Sequence, residues 1–364
     1  MPISKRNVVQ PWSRPKPTKE VLDYSELVTI DFSKFDKPNG KFELAKDLAE
    51  ALQYDGFWVV VNFGIPQDLI DRQFALGKHF FNNYSLEEKS AKACDFENGD
   101  YFGYKKVGAK TVFGTAVREN VETFNMPKFT KDETYKELLK QPFYDDFYDE
   151  VSSFSRITHD LLVKRLYQLF AIILELDESY FANKHDYDLP SDTHLRYMQY
   201  HPRSLEDDER VERIWSRAHT DFGSLTLLFN QEVNGLQLKL SDNSWKYVKP
   251  VYGGVICNIG DTLNFWSGGY FKSTIHRVVR PPEDQLDEPR VGLFYFDRPG
   301  KTADIEVAPS PLLKRLGLYN KVEPVNGHHY VRQRVKNYHE SSDYGKRAGE
   351  VFQVGQFKIQ DGFD

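Results

Sequence analysis

A chain of 364 residues, 40% hydrophobic and 28% charged, is long enough to bury a sizeable core and too apolar to be disordered. Its formal charge of -6 argues against the concentrated basic face that a nucleic-acid partner requires, and two cysteines, Cys94 and Cys257, cannot build a disulfide framework. No stretch approaches the roughly 18 apolar residues of a membrane span, and the N-terminus has no signal-peptide core, so a cytosolic protein without a membrane partner is expected.

In chain order, residues 1–25 read as an extended, Pro-rich leader. "LVTIDF" follows as a short strand, and residues 42–52 carry apolar side chains at helical spacing. "GFWVVVNFG" is a dense β-branched and aromatic run, hence a buried strand, and residues 67–82 form the next helix. "DYFGYKKVG" reads as a Gly- and aromatic-rich loop. The clearest helix spans 155–175, where apolar residues recur every three or four positions. From residue 193 the pattern changes to short strands divided by turn residues: "HLRYMQY", "SLTLLF", "GLQLKL", "SWKYVKP", "GVICNIGD", "STIHRVV" and "RVGLFYF". The expectation is a mainly β sandwich or barrel with a helical cover, divided into an α/β region at 26–192, a β core at 193–300 and a helical or extended tail at 301–364.

The chemistry lies in the β half. In "RAHTDFGSLTLLF", His219 and Asp221 stand two residues apart, so on an extended strand they project from one face while Thr220 points away. A second histidine, His276, lies on another predicted strand. Two imidazoles and a carboxylate make the facial set that non-heme Fe(II) sites use, because it leaves adjacent metal positions open. Zinc could take the same ligands for hydrolysis.

The words H-T-D-F-G-S-L-T-L-L-F, G-L-Q-L and G-D-T-L-N-F-W-S-G-G-Y-F-K-S-T-I-H-R-V together resemble the isopenicillin N synthase-like branch of the 2-oxoglutarate- and Fe(II)-dependent dioxygenases. "VTIDFSKF", "YDGFWVVVNFGIP" and "FFNNYSLEEKSAK" extend the likeness over most of the chain, with Phe63 where a histidine is common. The resemblance implies a double-stranded β-helix, or jelly roll, with Fe(II) held by His219, Asp221 and His276. It implies Arg290 as the grip on the distal carboxylate of 2-oxoglutarate, a task suited to the fixed guanidinium fork. Tyr200 matches the tyrosine that helps hold this co-substrate, although His201 intervenes before Pro202. The family's R-x-S is here "RVG", which puts Gly292 where a serine hydroxyl would reach the same carboxylate.

Substrate contacts are expected at Phe222, Phe102 and Tyr104, with the C-terminal segment closing the active site. His328 and His329 are read as solvated or capping residues, and Arg277 and Arg298 as solvated or supporting charges. The implied reaction hydroxylates or desaturates a small organic metabolite with O₂, releases succinate and CO₂, and is supported by ascorbate. A same-fold Fe(II) oxidase that does not use 2-oxoglutarate, a zinc hydrolase and a non-catalytic small-molecule sensor are the alternatives. Neither the substrate nor the oligomeric state is legible in the sequence.

Overall fold

Period-2 alternation along the strands decides the architecture. The computed structural model describes residues 8–131, 133–321, 323–339, 343–344 and 351–360. Its strands up to residue 297, in chain order, are β1 (Thr29–Asp31), β2 (Phe57–Val61), β3 (Gly103–Lys105), β4 (Thr111–Val112), β5 (Val121–Pro127), β6 (His194–Tyr200), β7 (Ile214–His219), β8 (Leu225–Phe229), β9 (Leu236–Lys239), β10 (Trp245–Tyr247), β11 (Val255–Ile259), β12 (His276–Val279) and β13 (Arg290–Asp297), and short two-stranded pairs follow in the C-terminal segment. An eight-stranded sheet runs β1-β2-β11-β8-β13-β6-β5-β3, and a four-stranded sheet runs β10-β9-β12-β7.

The two sheets close on one another through an apolar cluster that takes Phe57, Leu228 and Ile256 from the large sheet and Trp215, Leu238 and Val278 from the small one. The opposite face of the large sheet, carrying Leu227, Cys257, Leu293 and Tyr295, is sealed by helices through Leu166, Leu169 and Phe170. A sheet buried on both faces explains why "SLTLLF" and "GVICNI" are nearly continuous apolar runs rather than alternating ones. This is the jelly-roll architecture expected from the sequence, with helices on its outer side. Among the described residues no helix is long and apolar enough to cross a membrane.

Two expectations change. The helix read at 155–175 begins earlier, as Pro142–Thr158, passes through a single π turn at His159–Val163 and continues as Lys164–Ile173. Pro142 sits in the first turn, where its missing N–H costs nothing, and Phe143, Phe147, Val151 and Phe154 extend the buried stripe upstream. The loop "DYFGYKKVG" contains β3, paired antiparallel with β5. Gly103 begins it at φ +100°, and a Cβ there would stand 2.3 Å from the Lys92 carbonyl oxygen, so only glycine allows the strand to start there.

Candidate metal centre and adjoining cavity

β7 ends at His219 and β12 begins at His276, and the antiparallel register sets these two residues directly opposite one another. Their ring centroids are 4.4 Å apart. Each imidazole is oriented by its own chain: Nδ1–H of His219 donates to the Arg217 carbonyl at 2.7 Å, and Nδ1–H of His276 to the Thr274 carbonyl at 3.0 Å. This fixes the tautomer and leaves both Nε2 lone pairs free to face the interior.

Asp221 reaches the same point differently from the sequence expectation. The strand stops at His219, so His219 and Asp221 do not share one extended segment, and the backbone turns to let the Asp221 carbonyl accept from the Asp261 N–H at 2.8 Å. The carboxylate is aimed by two neighbours, with Oδ2 accepting from Thr226 Oγ1 on β8 and from Asn258 Nδ2 on β11, each at 2.7 Å. Oδ1 is thereby turned toward the imidazoles, 4.0 Å from His219 Nε2 and 3.9 Å from His276 Nε2. Thr220 does point away, but onto the Asp261 carboxylate at 3.2 Å rather than to solvent.

One ligand atom from each of the three residues lies within 4.8 Å of the others. Separations near 4 Å are too long for hydrogen bonds within the set, and stand about 1 Å above the roughly 3 Å between adjacent ligands of a cation held by bonds of about 2.0–2.2 Å, so small side-chain movements would bring all three onto one ion. Burial holds the His219 imidazole down at about 3. Burial also acts against the Asp221 carboxylate, but His276, His219 and the Asn258 and Thr226 hydrogen bonds outweigh it and leave its pKa at about 2. Near neutral pH His219 therefore offers bare nitrogen and Asp221 an ionised carboxylate, the forms a metal ion takes. The donor set fits Fe(II).

The inner cavity, about 590 Å³, joins His219, Asp221 and His276 to Arg290 and Tyr200. Arg290 is 2% exposed, its Nε donates to the Val233 carbonyl at 3.3 Å, and its Nη1 has no hydrogen-bond partner. Burial, with no carboxylate beside it among the described residues, holds the guanidinium below its ordinary value. Tyr200, opposite Arg290 in the β13–β6 register, lies with its ring 5.7 Å beneath that guanidinium and stacks on Trp215.

The Gly292 departure has a steric cause. A Cβ at Gly292 would stand 2.5 Å from the Phe294 ring, which folds back along the same strand face into the space a serine would fill. Gly292→Ser is therefore expected to destabilise the protein by about 1–3 kcal/mol through overpacking, without tightening 2-oxoglutarate binding. Adding Phe294→Ala should relieve the clash. Thermal denaturation and co-substrate titration of the single and double variants check this.

An outer cavity of about 800 Å³ opens from the same site. Phe222 lines it and packs against Tyr338, their ring centroids 5.3 Å apart. Phe102 and Tyr104 do not line either cavity. Tyr104 is buried against Phe80 and donates to Glu122 Oε2 at 2.7 Å, while Phe102 packs against Tyr101 and His194. Tyr101 takes the cavity position instead. His328 is paired with Asp192 at 3.1 Å rather than solvated, and the His329 N–H is capped by Asn326. Arg277 lies over the Trp245 ring at 4.0 Å, away from the cavities, whereas Arg298 lines the outer one with Arg196, which the sequence reading passed over. A signal for both was present: Arg196 alternates with Tyr200 on β6, and Arg298 continues the face begun by Arg290 on β13.

Comparison with known proteins agrees with this geometry. Residues 191–299 match the 2OG-Fe(II) oxygenase superfamily, and residues 27–144 match the non-haem dioxygenase in morphine synthesis N-terminal family. A UPF0676 protein of Schizosaccharomyces pombe is 32% identical over 79% of this chain and 85% of its own length. The 2-oxoglutarate-dependent dioxygenase frbH of a Dothideomycetidae species is 30% identical over 79% of this chain and 86% of its own. The chain belongs to the 2OG-Fe(II) oxygenase superfamily. Among solved structures, a full-length Neurospora crassa protein in complex with alpha-KG and thymine superposes with a TM-score of 0.74 at 26% identity, covering 86% of this chain and 97% of that one. As a superfamily member this oxygenase depends on Fe(II), 2-oxoglutarate and O₂, and oxidises a small organic metabolite with release of succinate and CO₂.

Proposed function

We propose that His219, Asp221 and His276 hold the iron of this oxygenase and that Arg290, backed by Tyr200, grips the distal carboxylate of 2-oxoglutarate. The observation that carries the reading is a buried, carboxylate-free Arg290 opening on the same cavity as the three convergent ligands. Bound there, Fe(II) supplies the activation of dioxygen that couples loss of CO₂ from 2-oxoglutarate to oxidation of the substrate.

The chain's own residues supply geometry. Asn258 and Thr226 keep Oδ1 of Asp221 turned inward, and the Arg217 and Thr274 carbonyls hold each ring in the tautomer that carries its lone pair on Nε2. Arg290 offers a fixed donor fork in a low-dielectric wall, where a charge-assisted bond is strongest. Phe222 and Tyr338, from the C-terminal helix Gly327–His339, cover the mouth and exclude water. The occupant is a small molecule rather than a nucleic acid, as an enclosed aromatic cavity in a chain of net charge -6 suits the former.

Adding 2-oxoglutarate to the anaerobic Fe(II)-loaded protein should produce a visible metal-to-ligand charge-transfer band. A silent spectrum would reject this co-substrate site. Asn258→Leu is expected to weaken Fe(II) binding by about 10–100-fold, as loss of an outer hydrogen bond to a ligand commonly does, measured by metal titration.

A further inference from the structure

The outer cavity holds two arginines that form no ion pair among the described residues. Three other arginines held in the interior do meet carboxylates: Arg203 and Arg280 lie 3.6 and 3.2 Å from Asp208, and Arg334 lies 3.9 Å from Asp261. Arg298 is 5% exposed and, among the described residues, forms no ion pair, and its Nε and Nη1 are buried without a hydrogen-bond partner. Arg196 donates from Nε to the neutral Asn125 Oδ1 at 2.6 Å and likewise has no carboxylate partner among the described residues. The two guanidinium carbons lie 4.4 and 5.8 Å from the centroid of the same Phe296 ring, and both side chains line the cavity that contains His219 and Asp221.

Two like charges gathered in a dry wall are unfavourable unless an anion joins them. Among the described residues Asp221 is the only acidic one lining that cavity, and its Oδ1 is turned toward the two imidazoles. The rest of the lining mixes aromatic rings, among them Phe96, Trp215, Phe222, Phe296 and Tyr338, with aliphatic and polar side chains, and its third cation, Lys105, is paired with Glu119 at 2.7 Å. We infer that the substrate is a small planar or aromatic acid whose carboxylate is held between Arg196 and Arg298 while its ring packs along Phe296 and Phe222. This rests on the metal and co-substrate site proposed above. The arginines act as a specificity clamp: fork-to-carboxylate bonds fix one end of the molecule and direct the other toward the His219–Asp221–His276 set.

The test uses the full chain loaded with Fe(II) and 2-oxoglutarate under anaerobic conditions. The probes are benzoate, cinnamate, phenylacetate and indole-3-acetate, each paired with its neutral carboxamide. The charge-transfer band of the wild-type complex is recorded first, and its absence condemns the co-substrate site rather than the clamp. Given that band, at least one acid should bind about tenfold or more tightly than its amide, the equivalent of one charge-assisted bond. Arg298→Gln and Arg196→Gln should each erase that preference, and Arg298→Lys should retain part of it. Arg298 also lies over the Tyr101, Phe222 and Phe296 rings, so Arg298→Gln is checked for an intact fold by its 2-oxoglutarate charge-transfer band, which should match wild type while the acid preference is lost. Amides binding as well as acids, failure of every acid in a protein that binds 2-oxoglutarate, or an acid preference that survives both glutamine variants would overturn the inference.

Discussion

Asp221→Ala protein is expected to fold, to retain no stoichiometric Fe(II) and to lose succinate formation by on the order of 10³-fold, taking about 3–5 kcal/mol for breaking a buried charge pair. The reasoning starts from the unequal roles of its two oxygens. Oδ2 is occupied by Thr226 and Asn258, so the carboxylate cannot rotate away, and Oδ1 is the only anionic atom facing the two imidazoles. Without it a divalent cation would meet two neutral nitrogens in a buried wall, with no charge to offset its own desolvation. The orphaned Thr226 and Asn258 groups add about 1–3 kcal/mol of destabilisation. Metal analysis, thermal unfolding and succinate release should be measured on one preparation. Wild-type iron content and turnover in this variant would remove the triad from the proposal.

The second large effect falls on the co-substrate. Arg290→Leu should raise the KM for 2-oxoglutarate by roughly 10²-fold, since removing one partner of a desolvated charge pair costs about 2–5 kcal/mol. Arg290→Lys should fall between the two, because an ammonium replaces the two-pronged fork by a point charge. Stability should move the other way. In the free protein Arg290 is buried with an unpartnered Nη1, so replacing it with leucine is expected to leave the unfolding temperature unchanged or higher. Titrating 2-oxoglutarate into each anaerobic Fe(II) protein separates these variants. An unchanged KM in Arg290→Leu would take Arg290 out of the co-substrate site.

Much of the fold was legible because it rests on local chemistry. Strand runs, the helices at 42–52 and 67–82, and the change at residue 193 all follow from apolar spacing and turn residues, and the structure places elements at each. The start of the long helix at Pro142 was missed because its buried stripe is made of aromatics interleaved with acidic residues. Phe102 and Tyr104 were misplaced for another reason. In a Gly-rich segment the composition suggests a binding loop, but pairing of β3 with β5 turns Tyr104 into the core toward Glu122.

By itself the sequence determined which chemical groups are available and how each is spaced along its own strand, since side-chain period and ligand type are properties of neighbouring residues. Only the tertiary structure decided what those groups meet. The His219–His276 register, the turn that brings Asp221 back to them, the Phe294 ring over Gly292 and the convergence of Arg196 with Arg298 all arise from contacts between strands distant in sequence. Closure of two sheets converts the same alternating pattern into a solvent-facing charge or a buried, unpaired one, and no local rule distinguishes the two before the sheets meet.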